Sequence, residues 1–311
     1  MRPAELIKKG RLKAEQVVKS SSSHLCKAIS HIKDKERLIA FNVTYTIMRI
    51  VDDIVDEKQI TGIPADREKI KKEVEKWKNR INKCYAGTPE AMPMSLTFFD
   101  VIQKFKMPKQ LWDDFFFSME RDIENPTFDT FSEFKNYSLG ATCAPTTAYL
   151  FLLLSEKNGE TYDISNFDYT KVGRDLGIWA YMVHILRDVK KDTDNRLFYI
   201  PKNELSKFNL TYNDLIDFSE SGKTNSDYSD FVEYYLLKAD RFYDSSINLV
   251  KDYCENIGTD RLFSLFIIDR TYKAIENKIR SVSGNVFSDT KLLSETDLHR
   301  ISLQLKKEIG V

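Results

Sequence analysis

Two aspartates one helical turn apart, Asp52 and Asp56, constrain this chain more than any other feature of its sequence. In a helix of about 100° per residue, Tyr45 and Arg49 share the face of both acids, and apolar residues fill the opposite face. Such carboxylates repel each other unless a cation lies between them, and Mg²⁺ prefers oxygen ligands. This stretch therefore predicts either a Mg²⁺-binding helix or an ordinary amphipathic helix with its acidic face in water.

A second stretch repeats the pattern at Asp188 and Asp192. Arg187 lies beside these acids, Tyr181 shares their stripe, and His184 is one turn before Asp188. Two helices of this kind can face each other across a helical bundle and hold several Mg²⁺ ions with a diphosphate between them. Chance supplies one such helix more easily than two. The pair therefore favours a shared site for Mg²⁺ and diphosphate over two ordinary amphipathic helices.

The first motif reads Tyr-x3-Arg-x2-Asp-Asp-x2-Asp and begins at Tyr45. The second reads Ile-Leu-Arg-Asp-Val-x2-Asp from Ile185, and Tyr199-Ile-Pro201 follows it. Together they resemble the motifs of the squalene/phytoene synthase family in order and spacing. The resemblance implies an all-α, single-domain bundle of the isoprenoid-synthase type over residues 1–311, with a central cavity. It also implies Mg²⁺-dependent, head-to-head joining of two prenyl diphosphates through an intermediate of the presqualene diphosphate type.

The resemblance further implies a role for each site residue. The metal ligands would be Asp52, Asp53, Asp56, Asp188, Asp192 and His184. The diphosphate would be bound by Ser22, Ser23, Arg49, Arg187, Arg196 and Tyr199. The remaining catalytic candidates are Tyr45 and Tyr137, which would orient diphosphate or accept a proton, together with Tyr181 and His184. The serines could equally cap the next helix, and the segment of Arg196 and Tyr199 is either a lid over diphosphate or a plain surface turn.

Two residues depart from the family pattern. Tyr181 and His184 stand where the family usually has Gln and Asn. Imidazole is a less usual ligand of Mg²⁺ than the amide oxygen of Asn, so His184 could bind metal, donate to diphosphate or move a proton. Tyr181 could stabilise a carbocation with its ring face. The apolar stretch from residue 115 to 122 could line a hydrocarbon pocket or simply pack in the core.

Composition narrows the function classes. Lys plus Arg equals Asp plus Glu, which argues against nucleic-acid binding. The four cysteines are scattered, and this spacing suits a reducing cytoplasm. The most apolar segment, from Ala148 to Leu154, is far shorter than the roughly 20 residues that span a bilayer, so no transmembrane segment is predicted. A peripheral membrane contact for product release and the choice between monomer and homodimer are left open.

Alternatives remain for the reaction itself. A terpene synthase or cyclase acting on one prenyl diphosphate would keep both aspartate motifs. Farnesyl diphosphate is favoured over geranylgeranyl diphosphate as substrate, and the product could be squalene-like or phytoene-like. NADPH is not indicated, since no Gly-x-Gly-x-x-Gly follows a strand-like run, but a reductive second step is left open.

Overall fold

The computed structural model describes residues 2–21, 28–29, 31–60, 67–124, 127–164, 167–254, 257–288 and 292–310, with the backbone alone at 57–60. We number the helices in chain order: α1 Pro3–Ser20, α2 Lys35–Ile60, α3 Arg67–Tyr85, α4 Pro93–Phe105, α5 Gln110–Asp122, α6 Phe131–Ser138, α7 Ala144–Leu154, α8 Tyr169–Asp194, α9 Lys202–Leu205, α10 Tyr212–Ser221, α11 Ser226–Tyr253, α12 Thr259–Ser281 and α13 Glu295–Ile309. A π-helical segment, Leu139–Cys143, joins α6 to α7, and a 3-10 turn, Ser206–Phe208, follows α9.

The predicted all-α architecture is confirmed, with one addition. β1 (Glu156–Asn158) and β2 (Thr161–Asp163) form a small antiparallel hairpin between α7 and α8. Gly159 has φ of +62° in its turn, a conformation that glycine adopts freely. Three-residue strands are too short to show alternation, which is why the hairpin was not predicted from the sequence.

The long motif helices both run antiparallel to α7. Arg37, in the first turn of α2, donates to the backbone oxygens of Leu153 and Ser155 at the end of α7. On α8, Gly177 lies against Cys143, just before α7 begins, and Gly173 lies against Thr147. Later residues of α2 and α8 therefore extend toward the same end of α7. We call this end of the bundle, which carries Asp52, Asp56, Asp188 and Asp192, the acidic end, and the opposite end the deep end.

Glycine allows α8 to approach α7 closely. A Cβ atom at Gly177 would lie 2.7 Å from the Cα atom of Cys143, and one at Gly173 would lie 2.3 Å from Thr147 Oγ1. The π-helical segment continues the run between α6 and α7, since the Ala144 N–H donates to Leu139 O, five residues earlier. Pro145 then falls in the first turn of α7, where its missing N–H is tolerated.

The apolar run is longer than the sequence suggested. From Phe131 to Leu154 the helical run is long and apolar enough to cross a membrane by length and composition, but 72% of its most apolar window is buried inside the protein. A core helix meets the same criteria. The predicted absence of a transmembrane segment and the single domain over 1–311 stay predictions.

Candidate active site

The acidic face of α2 is organised around Arg49. Its Nη1 atom lies 3.4 Å from Asp52 Oδ2, and its Nη2 atom lies 2.5 Å from Asp53 Oδ1. Burial raises the pKa of Asp52 to about 7, and the like charge of Asp56 adds to the rise while Arg49 opposes it. Burial also raises the pKa of Asp56. One arginine therefore does not neutralise the acids of this face.

On α8, Asp188 is held by its neighbours. Arg187 donates from Nε to Oδ1 and from Nη2 to Oδ2 of Asp188, both at 2.7 Å. His184 Nε2 lies 2.8 Å from Asp188 Oδ2 and 2.9 Å from Arg187 Nη2. Burial opposes ionisation here, but the hydrogen bonds from Arg187 and His184 outweigh it and hold the pKa of Asp188 well below its usual range. The forked pairing fixes the guanidinium at the acidic end.

Asp192 has the opposite environment from Asp188. Burial raises the pKa of Asp192 to about 7, and the charge of Asp188 adds to this rise. Asp56, on the facing helix, raises it further, while Lys191 lowers the pKa of Asp52 and Asp56. The structure therefore brings the two aspartate pairs together across one shared space.

The donor set of this space fits a divalent cation shared with a diphosphate. Within the described ranges, no three acidic, histidine or cysteine side chains lie close enough to hold an ion alone. Mg²⁺ commonly takes one or two carboxylates and completes its shell with water and substrate phosphates. Asp52, Asp56 and Asp192 offer hard oxygen ligands, and their raised pKa values show that nearby cations only partly offset the burial of these acids. The metal roles of Asp53, Asp188 and His184 stay predictions; in this structure Asp53 pairs with Arg49, and Asp188 and His184 contact Arg187.

These pKa shifts predict how stability depends on pH. Folded Asp52 and Asp192 hold their protons more tightly than in the unfolded chain, so their protonation favours folding. This contribution is lost as the pH rises from the ordinary value of 3.8 to about 7. We expect added Mg²⁺ to raise the melting temperature more at about pH 8 than at about pH 6, because only the charged carboxylates bind it. An equal effect at both pH values, measured by thermal denaturation, would contradict the assignment.

Tyr137 lies in a buried polar and aromatic cluster behind the acidic face. Its hydroxyl donates to Asp122 Oδ1 at 2.5 Å. The ring of Tyr181 lies 6.1 Å from that of Tyr137 and stacks on Phe134 with centroids 5.5 Å apart. The ring of Tyr199 lies 6.3 Å from both tyrosine rings. Burial raises the pKa of Tyr137 and Tyr181 well above the usual range, so both phenols stay protonated.

Two candidate diphosphate-binding residues, Ser22 and Ser23, lie outside the described residues. Their described neighbour Ser21 is hydrogen-bonded to Tyr45, with 2.7 Å between Ser21 Oγ and the tyrosine oxygen. This contact places the end of α1 beside the first motif. Diphosphate binding by the two serines stays a prediction.

Arg196 follows α8 in a left-handed backbone conformation, with φ of +59°. The adjoining bonds form a helix C-cap: the Arg196 N–H donates to Thr193 O, and the Leu197 N–H donates to Asp192 O. Glycine is the usual residue at this position because it lacks a Cβ atom. An exposed arginine at this position carries a backbone cost.

Arg196→Gly is expected to raise the free energy of unfolding by up to about 1 kcal/mol, because backbone strain is relieved. If Arg196 binds diphosphate, the same change should raise KM about tenfold through the lost charged hydrogen bond. Lys106→Gly is the matched control, since Lys106 ends α4 with φ of +50° and is exposed. Steady-state kinetics and chemical denaturation of both variants measure the two effects, and an unchanged KM in Arg196→Gly would exclude the binding role.

An apolar cavity, cavity 1, extends from the first motif toward the deep end. Its volume is about 320 Å³, and Arg49 and Asp52 lie at its acidic end. The rest of its wall comes from α2, α5, the π-helical segment and α7: Phe41, Thr44, Tyr45, Met48, Phe115, Met119, Ala141, Pro145, Ala148, Tyr149 and Leu152. Phe115 and Met119 thus line a pocket, as the sequence had suggested for their stretch. Its apolar wall suits a hydrocarbon chain.

A second cavity, cavity 2, starts at the second motif. Its volume is about 460 Å³, and His184 and Arg187 lie at its acidic end. Helices α7, α8, α11 and α12 supply its wall: Pro145, Thr146, Tyr149, Leu150, Leu176, Trp179, Ala180, Ile247, Val250, Leu265, Phe266, Ile268, Asp269 and Tyr272. Each motif helix therefore has an apolar cavity of its own.

Three residues of this site were not identified from the sequence. Asp122 ends α5, which reads as an apolar stretch with scattered charges. Tyr149 lies within the most apolar segment, and Tyr272 belongs to a helix that has no motif. Of the three, only Asp122 could have been noticed in the sequence, because it is an acidic residue close to a run of aromatic residues. The other two become recognisable when distant helices are brought together.

Known proteins share both the sequence and the fold. The family model for squalene/phytoene synthase matches residues 18–299. A 4,4'-diapophytoene synthase of Staphylococcus haemolyticus is 25% identical over 296 residues, covering 94% of this chain and 95% of that protein. A phytoene synthase of Rhodobacter capsulatus is 29% identical over 157 residues, covering 50% of this chain and 42% of that protein.

Two crystal structures have a similar fold. A dehydrosqualene synthase superposes with a TM-score of 0.78 at 17% identity, covering 99% of each chain. The squalene synthase HpnC of Alicyclobacillus acidocaldarius superposes with a TM-score of 0.73 at 16% identity, covering 91% of this chain and 97% of the other. The predicted isoprenoid-synthase fold is confirmed. With a family model that matches nearly the whole length, this chain belongs to the squalene/phytoene synthase family of prenyltransferases, which condense prenyl diphosphates head to head.

Proposed function

We propose that this enzyme condenses two farnesyl diphosphates head to head, through an intermediate of the presqualene diphosphate type, to a C30 hydrocarbon. The observation that carries the proposal is the pair of apolar cavities, each with an arginine at its acidic end. A head-to-head reaction needs two hydrocarbon chains held with their diphosphate ends together. An enzyme for a single prenyl diphosphate needs one such cavity.

The choice of farnesyl chains is supported by two observations. A relative that matches nearly the full length is a 4,4'-diapophytoene synthase, and the fold neighbour with the higher of the two TM-scores is a dehydrosqualene synthase. Cavity 1 has a volume of only about 320 Å³ and includes Phe41 and Leu152 on its deep side. The smaller cavity favours the shorter chain.

Asp52, Asp56 and Asp192 are the residues that would hold divalent metal, with Mg²⁺ as the proposed ion. When bound, the metal would supply Lewis-acid neutralisation of the diphosphate leaving group. Arg49 and Arg187 contribute charged donors on either side of the shared space. Their guanidinium groups can bind the diphosphate oxygens as negative charge grows on them.

Tyr137, a predicted proton acceptor, is only 1% exposed and lines neither cavity, so it would act on a proton that leaves the cavities and not on the reacting carbon directly. When the allyl cation of one chain adds to the double bond of the other, closing the cyclopropane ring breaks a C–H bond and releases its proton. The raised pKa of Tyr137 excludes a phenolate as base. Its oxygen can take up a proton only as its own proton passes to Asp122, to which it already donates. Apolar and aromatic walls keep water from the cation.

The proposal is tested by incubating the purified protein with farnesyl or geranylgeranyl diphosphate and Mg²⁺, with and without NADPH. Mass spectrometry of the extracted lipid then identifies the product. A C30 hydrocarbon from farnesyl diphosphate is the expected result, and a change of product with NADPH would reveal a reductive second step. A C40 product would overturn the substrate choice. A C15 alcohol or cyclic hydrocarbon as sole product would establish the single-substrate reaction instead.

We also propose a cytoplasmic location, with product release at a membrane surface. Three buried cysteines, Cys84, Cys143 and Cys254, are free thiols, which suits a reducing compartment. A C30 hydrocarbon is insoluble in water, so its release needs an apolar acceptor. Faster steady-state turnover in the presence of phospholipid vesicles would support this release step, and an unchanged rate would contradict it.

A further inference from the structure

Helix α7 stands between the two cavities. Ala148 and Leu152 line cavity 1, whereas Thr146 and Leu150 line cavity 2. Among the described residues, Pro145 and Tyr149 are the ones that line both cavities. Pro145 lies nearer the acidic end and Tyr149 one turn deeper. The tyrosine ring is therefore the largest side chain shared by the two walls.

The Tyr149 ring is held from both sides. Its hydroxyl donates to Ser264 O on α12, at 2.6 Å, which ties it to the helix behind cavity 2. On the other side its ring contacts Phe41 of α2, with 5.1 Å between the ring centroids. The side chain is 9% exposed. These contacts fix the ring in place between the two cavities.

We propose that Tyr149 separates the two prenyl chains and thereby determines that they join at their diphosphate-bearing ends. The inference rests on the proposed function, because it assigns one chain to each cavity. With the ring in place, the two chains are kept apart on the deep side of Pro145. They can approach each other only toward the acidic end. A side chain without the ring opens one cavity into the other.

The separation has a second consequence, for chain length. Cavities of about 320 and 460 Å³ each limit the chain that can enter them. A merged cavity accepts a longer chain, or one chain folded across both spaces. Tyr149 is therefore a specificity-determining residue for both pairing and chain length, although it lies deeper in the bundle than the acidic end.

The test compares Tyr149→Leu with the wild-type enzyme, using farnesyl diphosphate, geranylgeranyl diphosphate and Mg²⁺. The measured quantity is the ratio of joined hydrocarbon to released alcohol, determined by mass spectrometry. The two products are compared at equal total release of diphosphate. We expect this ratio to fall at least about tenfold in Tyr149→Leu, because misplaced chain ends react poorly with each other. The preference for the C20 over the C15 substrate should rise in the same variant.

Two control variants separate the ring from general stability. Tyr149→Phe keeps the ring and removes only the bond to Ser264, so the product ratio should be restored. Phe151→Leu removes a comparable ring from the same helix; Phe151 lines neither cavity and packs on Tyr169, with centroids 5.1 Å apart. It should lower the melting temperature without changing the ratio. Circular dichroism and thermal melts verify folding of all three variants.

The possible failures are distinguishable. If the wild-type enzyme yields no joined product, the proposed function itself fails. If the wild-type enzyme yields joined product and Tyr149→Leu retains both the ratio and the chain-length preference, the separating role is wrong. An equal loss of ratio in Phe151→Leu would likewise overturn it, because the effect would then follow from loosened packing.

Discussion

Asp192→Asn is expected to slow Mg²⁺-dependent diphosphate release about 100-fold. Losing one group that stabilises the charge of a transition state typically has an effect of this size. Burial and the charges of Asp188 and Asp56 raise the pKa of the Asp192 carboxyl to about 7, because Lys191 and Arg187 offset these effects only in part. The amide is neutral and a weaker metal ligand, so the apparent affinity for Mg²⁺ should fall as well. Both effects are measured by a diphosphate-release assay with farnesyl diphosphate at several Mg²⁺ concentrations.

Asp194→Asn is the matched control for this loss. Asp194 lies two residues further along α8, accepts a hydrogen bond from Ser219 and pairs with Lys190 at 3.0 Å. Its side chain is 51% exposed. The Mg²⁺ dependence of this variant should match that of the wild type. Similar losses in the two variants would show that acidic charge on α8 acts generally, and not through a ligand at position 192.

Arg37→Leu is expected to lower the free energy of unfolding by about 3 kcal/mol, because it removes the donor that satisfies several buried groups. The Arg37 side chain is 3% exposed. Its guanidinium donates to the backbone oxygens of Leu152, Leu153 and Ser155, where α7 ends and its last carbonyls lack helical partners. A cation also interacts favourably with the C-terminal end of a helix.

Two further variants serve as controls for Arg37→Leu. Lys35→Leu changes an exposed cation in the same turn of α2 and should alter stability by less than about 0.5 kcal/mol. Arg37→Lys keeps the charge but loses the forked donors, so an intermediate loss is expected. Urea denaturation of the three variants gives the comparison. If Arg37→Leu is as stable as the wild type, the carbonyls at the end of α7 find other partners and the interpretation is wrong.

Much of the helical architecture could be predicted because helix formation depends on neighbours three and four residues apart. Such spacings predict a helix at each motif, and α2 and α8 carry the two motifs in the structure. The same spacing predicted that Asp52 and Asp56 share a face. The hairpin at 156–163 was missed, since three residues per strand carry too little pattern.

Helical spacing did not predict the neighbours of Tyr181. Its position on the stripe of Asp188 and Asp192 suggested a ring facing a carbocation. In the folded protein its ring stacks on Phe134 of α6 and lies 6.1 Å from the ring of Tyr137, also on α6. Helical phase indicates the face on which a residue lies but does not identify the neighbouring helix that meets this face.

The sequence by itself determined the helical class, the two acidic faces and the family to which they point. Only the tertiary structure decided which acids are neutralised, because Asp188 is paired with Arg187 and His184 whereas Asp192 faces Asp56 from a helix more than a hundred residues away. It also decided that two cavities meet at Tyr149. The physical reason is that periodicity is a local property of the chain, whereas charge balance and cavity shape depend on distances between segments that only folding brings together.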